Sequence, residues 1–431
     1  MPGEVIPPGF YKGMAENLYN FHSKTISPAG GKIILKHLDS PLVAVNLWSL
    51  AGVKNESPST NGISHFYEHM VFKGTDNYPG NLLARKVQAL GGYFNAGTSL
   101  DTTDFYIVVP AEFWKEAIEI LTEMVCRPLF SPTDIEQEKL VVIQEIHIDQ
   151  DDPEERLTTL LHQKVFANTP YEMPILGKEE RIRSFTRADL LEHQRRFYHA
   201  SNLALIVAGG VPVGAEEVFQ WAEERFPPAS DWEQRDFSFP AFAPKKGEFL
   251  VPMDVKRRYG VVGFLCPGIQ DEAFYPLQLL SLIVGGGIGS RLNLKLREEK
   301  KLVDIIQANY FYYQKAGIFA IFYSYMDGNR EEIEFTIQQE LQRLFSDPPG
   351  QGEIIRGKNL LKSGFSHAVE TTWGWAEVLG RFDLAGNVDY LADYLLRIDR
   401  LKVEDVMKVA ELYLNFKKAT WISIYPGEEK N

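Results

Sequence analysis

Gly62-Ile63-Ser64-His65-Phe66-Tyr67-Glu68-His69-Met70 is the stretch on which the reading of this chain turns. On a helix, residues four apart lie one turn above each other on the same face, so His65 and His69 can address one ion with both imidazoles. Glu68 lies beside that face and can reach a water there. Two imidazoles and a carboxylate around one open position make the donor set of a catalytic zinc site. Nine histidines in the chain give H-x-x-E-H by composition alone on the order of once in a hundred such sequences. The motif therefore needs a helix, a third ligand and a scaffold around it.

A chain of 431 residues exceeds one ordinary core, and two domains of roughly 200 residues each are expected. With 45% apolar and 24% charged residues it reads as folded rather than disordered. The net charge of −13, with no basic block to offset it, argues against a general nucleic-acid binder. Cys126 and Cys266 stand far apart in apolar surroundings and read as buried free thiols, not as a disulfide framework. Met1-Pro2-Gly3-Glu4-Val5 lacks the cationic and apolar regions of a signal peptide, and no apolar run approaches the ~18 residues of a membrane span. The cytoplasm is the expected compartment; a periplasmic protein stripped of its export signal would read the same.

The motif has the context it needs. Leu42–Leu50 reads as a strand, and Asn61 or Ser64 can cap the motif helix that follows. A second amphipathic helix runs from Asn81 to Gly91-Gly92, and Tyr93–Ser99 and Thr102–Val109 read as antiparallel strands turning at Leu100-Asp101. Phe113, Trp114, Ala117, Ile118, Leu121 and Val125 form the core face of a helix. Ser131-Pro132-Thr133-Asp134 opens another. There Glu138 and Glu145, two turns apart, share a face with Val141 and Val142. Carboxylates on a mostly buried face need a cation or donors, which a metal ion supplies. Without the histidine pair, a solvated acidic face would be the plainer account. His147 points to a different face of that helix. His162, His193 and His199 lack the four-residue pairing and read as structural.

Phe226 to Lys246 is rich in proline and polar residues and reads as a linker between domains 1–225 and 247–431. The order of elements then repeats. A strand at Tyr259–Leu265 is followed by a helix from Ala273 to Val284, strands at 305–313 and 317–325, two helices and a closing strand at Trp421–Tyr425. The second helix carries no histidine, so one half is chemical and the other a wall. Gly285-Gly286-Gly287-Ile288-Gly289 lacks phosphate-loop spacing and reads as a turn.

His65-Phe66-Tyr67-Glu68-His69-Met70 with Phe72-Lys73-Gly74-Thr75, then Gly91-Gly92, Asn95-Ala96 and Thr98-Ser99, resembles the pitrilysin family of inverted zincins, in its processing-peptidase-like branch, over nearly the whole chain. The resemblance implies an α+β fold of two similar domains, each an antiparallel sheet packed with helices, forming a clamshell chamber. It implies one zinc ion per chain held by His65, His69 and Glu145, which falls about 76 residues after His69. Glu138 takes a supporting role and Glu68 that of catalytic base. It further implies an endopeptidase or oligopeptidase whose unfolded peptide substrate pairs with an edge strand at Phe94, Asn95 and Ala96. The family's substrate-binding Arg and Tyr, seven apart, map to Arg297 and Asp304. An ionised Asp cannot donate as a phenol does, and Arg297 also fits a solvated charge run. The expectation is therefore a homodimer, or a heterodimer with a sister subunit that supplies the missing group. The alternative is a non-catalytic peptide-binding or scaffold subunit.

Overall fold

The computed structural model describes residues 20–26, 30–228, 240–326, 329–384, 386 and 388–427. The chain start at 1–19 and the centre of the expected linker, 229–239, lie outside the described residues. The elements begin with β1 (His22–Thr25), β2 (Lys32–His37), β3 (Leu42–Ser49), α1 (Ile63–Val71), α2 (Leu82–Ala89), β4 (Tyr93–Thr98) and β5 (Thr103–Pro110). They continue with α3 (Trp114–Cys126), α4 (Pro132–Asp151), α5 (Pro153–Val165), α6 (Glu179–Ser184), α7 (Arg187–Phe197), β6 (Leu203–Gly209) and α8 (Ala215–Glu223). After the linker come β7 (Gly247–Met253), β8 (Arg258–Cys266), α9 (Phe274–Gly285), a π-helical turn (Asn293–Glu299), β9 (Ile305–Tyr312) and β10 (Gly317–Tyr325). Last are α10 (Arg330–Ser346), α11 (Gln351–Ala368), α12 (Thr372–Leu384), α13 (Asp389–Arg400), α14 (Val403–Tyr413) and β11 (Thr420–Pro426).

The first sheet has the order β1-β2-β6-β3-β5-β4, and the second β7-β11-β8-β10-β9. Each is antiparallel apart from one parallel pair, β2–β6 in the first and β7–β11 in the second. Leaving β1 aside, the two sheets are built to one plan: a parallel partner, the last strand, the first long strand, then the hairpin. The repeat expected from the order of elements is thus present in the topology.

The chain forms two compact units, and these interleave the stretches 1–225 and 247–431. One unit comprises Met1–Ile146, Met173–Phe237 and Ser366–Leu395; the other comprises His147–Glu172, Ser238–Phe365 and Leu396–Asn431. The reason lies in the sheets. Strand β6 is buried at every position, so both faces of the first sheet require cover. Val43, Val45, Leu47, Phe105 and Ile107 turn one face to a core shared with α1 and α3. The other face packs against α12, from the late part of the chain. In the second unit, α5 from the early part packs on β8 and β11. Both helices hold the same place in the repeat, after a pair of long helices, and each sits where a glycine leaves room. A Cβ on Gly380 of α12 would lie 2.1 Å from Trp48 Nε1, and one on Gly263 of β8 would lie 2.4 Å from Leu161 Cδ1 of α5. Among the described residues no helix is long and apolar enough to cross a membrane.

Candidate metal centre

Helix α1 is buried along almost its whole length, with only His69 partly open. It does not begin as the sequence suggested. Neither Asn61 nor Ser64 caps it; Gly62 stands at the N-cap position with φ 93°, in the left-handed region. The cap comes from Glu56, six residues upstream. Its carboxylate accepts from Gly62 N (2.8 Å), Ser64 N (2.9 Å) and Asn61 Nδ2 (3.0 Å). Burial pushes the Glu56 carboxyl up, and the backbone N–H groups of Ser64 and Gly62 work against that shift. A carboxylate at a helix N-terminus also answers the positive end of the helix dipole. Position 62 admits nothing larger than glycine, since a Cβ there would lie 2.7 Å from Gly177 Cα. Farther along, the Tyr67 hydroxyl donates to Val125 O at 2.7 Å, and its ring stacks on Tyr198 at 4.1 Å. The motif helix is therefore fixed at its start and along its inner side.

Helix α4 is set against α1 by the residue before its cap. Phe130, with φ 50°, packs edge-on to Tyr67 at 5.4 Å, and Ser131 Oγ accepts from Asp134 N at 3.1 Å. Two turns apart on α4, Glu138 and Glu145 both meet α1. Glu145 Oε2 lies 3.4 Å from His69 Nε2 and 3.7 Å from His65 Nε2. One ligand atom from each of His65, His69 and Glu145 falls within 4.8 Å of the others, the one such group of three among the described residues. Zinc bonds of about 2.0–2.2 Å at tetrahedral angles separate neighbouring ligand atoms by roughly 3.3–3.5 Å, close to the 3.4 and 3.7 Å between Glu145 and the two imidazoles, so the donor set suits a zinc ion.

Around this trio, Glu138 Oε1 lies 2.8 Å from His69 Nδ1 and its other oxygen pairs with Lys73. Burial alone would raise the Glu138 carboxyl; His69 and Lys73 outweigh it and hold it below the usual range. His69 is raised to about 9: burial works to lower it, and the hydrogen bonds and charges of Glu138 and Glu145 prevail. His65 is lowered to about 4, by burial first and then by the neighbouring His69 charge. His65 Nδ1 is buried with no hydrogen-bond partner. Glu145 is held low chiefly by its hydrogen bond with His69.

Glu68 is buried on the same helix and accepts from Thr98 Oγ1 of β4 at 2.6 Å. Thr98 Oγ1 is 3.3 Å from Thr103 Oγ1, which donates to Ala51 O at 2.9 Å. Burial raises the Glu68 carboxyl, and the Thr98 hydrogen bond opposes the rise. Strand β4 ends its sheet, with Phe94 stacked on Phe72 at 5.3 Å on the α1 side. Asn95 stands opposite Tyr106, and Ala96 opposite Phe105.

The other histidines stay apart from this group. His162 is bonded to Thr158 O and Tyr313, His193 packs on Tyr67, His199 bonds Arg196 O, and His147 is exposed. Arg297 is exposed on the π-helical turn of the other compact unit. Asp304, also in that unit, pairs with Arg257 at 3.2 Å. Cys266 is buried and Cys126 partly so, both free, with burial raising each thiol to about 12. Glu56, Thr98 and Lys73 acquire roles that the sequence reading did not give them. Of the three, Lys73 had a signal, standing four residues after His69.

The family model for insulinase, peptidase family M16, matches residues 32–179, and the model for the peptidase M16 inactive domain matches 184–361. An uncharacterized zinc protease of Rickettsia bellii is 30% identical over 85% of this chain and 89% of its own length. This chain belongs to peptidase family M16. The M16 chain is also 27% identical to a probable mitochondrial-processing peptidase subunit beta of Arabidopsis thaliana, over 94% of this chain and 78% of that protein. The resemblance to the processing-peptidase-like pitrilysins therefore stands. In fold, the M16 chain matches a protease from Helicobacter pylori with TM-score 0.87 at 22% identity, covering 94% of this chain and all of the other. The two-domain α+β architecture is common to both.

Proposed function

We propose that the chain is a zinc-dependent endopeptidase or oligopeptidase that hydrolyses unfolded peptides. The observation that carries this reading is the convergence of His65, His69 and Glu145 beside a buried Glu68 that Thr98 holds in place. His65, His69 and Glu145 would bind one zinc ion, and Glu138 fixes the His69 ring by taking the Nδ1 proton's hydrogen bond. The chemistry a bound zinc supplies is Lewis acidity toward a carbonyl oxygen and a lowered pKa for water. Glu68 takes a proton from the attacking water and delivers it to the departing amine. Its upward shift through burial suits a group that must act as base and then as acid. The outer edge of β4 carries backbone groups that an extended chain can pair with, which supports Phe94, Asn95 and Ala96 as the substrate strand. Only an unfolded segment can add to an edge in this way.

A partner belongs to this reading. Asp304 is ion-paired with Arg257 and cannot donate as a phenol would, so a second copy or a sister subunit supplies that group. The mitochondrial relative is itself named a subunit, which supports the idea. The same Asp304 favours one other reading, a non-catalytic peptide-binding subunit. The test is cleavage of a quenched fluorescent peptide library by wild type and Glu68→Gln, alone and mixed with candidate sister subunits, with zinc quantified in each. Zinc in both proteins and cleavage by wild type only is the expected outcome. A wild type that retains no zinc and cleaves nothing in any mixture would leave the non-catalytic reading.

A further inference from the structure

The two faces of β4 differ. Phe94 and Thr98 look toward α1, whereas Tyr93, Asn95 and Gly97 alternate onto the opposite face. On that opposite face Tyr93 is 54% exposed, and its ring stands edge-on to Tyr106 of β5 at 6.2 Å. Tyr106 in turn meets Trp373 of α12 at 5.4 Å, and Trp373 is 37% exposed. Single exposed apolar residues need no explanation. Three rings in sequence, laid across the last two strands of a sheet beside an unpaired edge, form a step on which a side chain can lie.

We infer that the Tyr93–Tyr106–Trp373 step is a substrate subsite for a bulky apolar side chain of the peptide, several residues from the bond that is cut. The inference rests on the proposed pairing of substrate with β4. A strand added there alternates its side chains as β4 does. Those on the α1 side pass the metal centre; those between them fall on the aromatic step. Thr98 marks the reacting end because it touches Glu68. Asn95, opposite Tyr106, lies three residues back and Tyr93 lies five back. At a rise of about 3.3 Å per residue the step is roughly 10–17 Å from the reacting end, so it meets a peptide residue about three to five positions from the scissile bond. Trp373 reaches the step only because α12 packs on this sheet, which makes a residue of the late sequence a determinant of what the early motif accepts.

The test uses the zinc-loaded full chain and peptides in which a single Phe is moved through an alanine background. In wild type, Phe three to five residues from the cleaved bond raises kcat/KM about tenfold over Ala, through KM. Tyr93→Ser and Trp373→Ala bring that ratio to about one, and Trp373→Phe restores it. A ratio unchanged in both variants overturns the inference, as does an equal loss on every peptide. So does a change in oligomeric state with the ratio intact, which would make this face a contact between copies. Anisotropy of a labelled Phe peptide on Glu68→Gln, with and without Trp373→Ala, reads the subsite without cleavage. If no protein cleaves but Trp373→Ala still weakens binding, the subsite holds and the peptidase reading fails.

Discussion

Thr98 and Glu138 serve the proposed chemistry at second hand, each through a single hydrogen bond. Removing the Thr98 hydroxyl leaves a buried carboxylate without its donor, an interaction worth about 1.5–3 kcal/mol when one partner is charged. Thr98→Val is expected to lower kcat roughly tenfold or more at unchanged zinc content, with Thr98→Ser recovering most of it; steady-state kinetics beside metal analysis checks this. Glu138→Gln is expected to weaken zinc binding by about 10–100-fold, measured by competition with a chelator, because His69 loses the carboxylate that orients its ring. The grouping of the candidate ligands and Glu138 was legible in sequence. His65 and His69 are placed by helix periodicity alone, and Glu138 and Glu145 by two turns of a second helix. Glu56 and Thr98 were not legible as partners of the motif, because contacts between separate elements leave no period along the chain.

At the level of elements, β2 shows what pattern reading misses. Lys36 lies in the run Lys32-Ile33-Ile34-Leu35-Lys36-His37, where a cation is ordinarily assigned to the surface, yet it is buried under α12 with its ammonium 4.6 Å from the Trp375 ring. Burial lowers it to about 8 from 10.5. The unfolded chain then binds the extra proton between those values, so the Lys36 contribution to stability rises as pH climbs from about 8 toward 10.5 and is flat below. Chemical denaturation across that range checks the sign. Lys36→Met is expected to remove this contribution to the slope, read as the difference from wild type, and stabilise the protein near neutral pH by about 1–3 kcal/mol. Gly380→Val tests the same packing from the other side: with Trp48 against the glycine, it is expected to cost about 1–3 kcal/mol, read as a lower melting temperature. The long strands and helices around the motif were readable because their apolar periods are strong. The capping of α1 was misread, since a glycine entry with a remote carboxylate has no local signature.

Over the whole molecule, the duplication was visible in the order of elements, but its most consequential detail was not. Composition marks a linker, and a division at 226–246 follows from it; nothing in composition says that α5 and α12 cover sheets belonging to the other stretch. A fragment of residues 1–225 therefore lacks the cover for the Trp48 face of its sheet. It is expected to bind a hydrophobic dye and aggregate, and to regain a cooperative melt when co-expressed with the remainder of the chain.

The placement of α12 also sets a schedule for synthesis. Helix α1 and its sheet leave the ribosome early, yet the helix that seals the back of that sheet is made only near the end of the chain. At about 5–20 residues per second the interval from the end of β6 to the end of α12 is roughly 9–35 seconds. Throughout it the nascent first sheet presents an apolar face to the cell, so the time of greatest vulnerability to chaperones and proteases lasts until about the final tenth of the message is read.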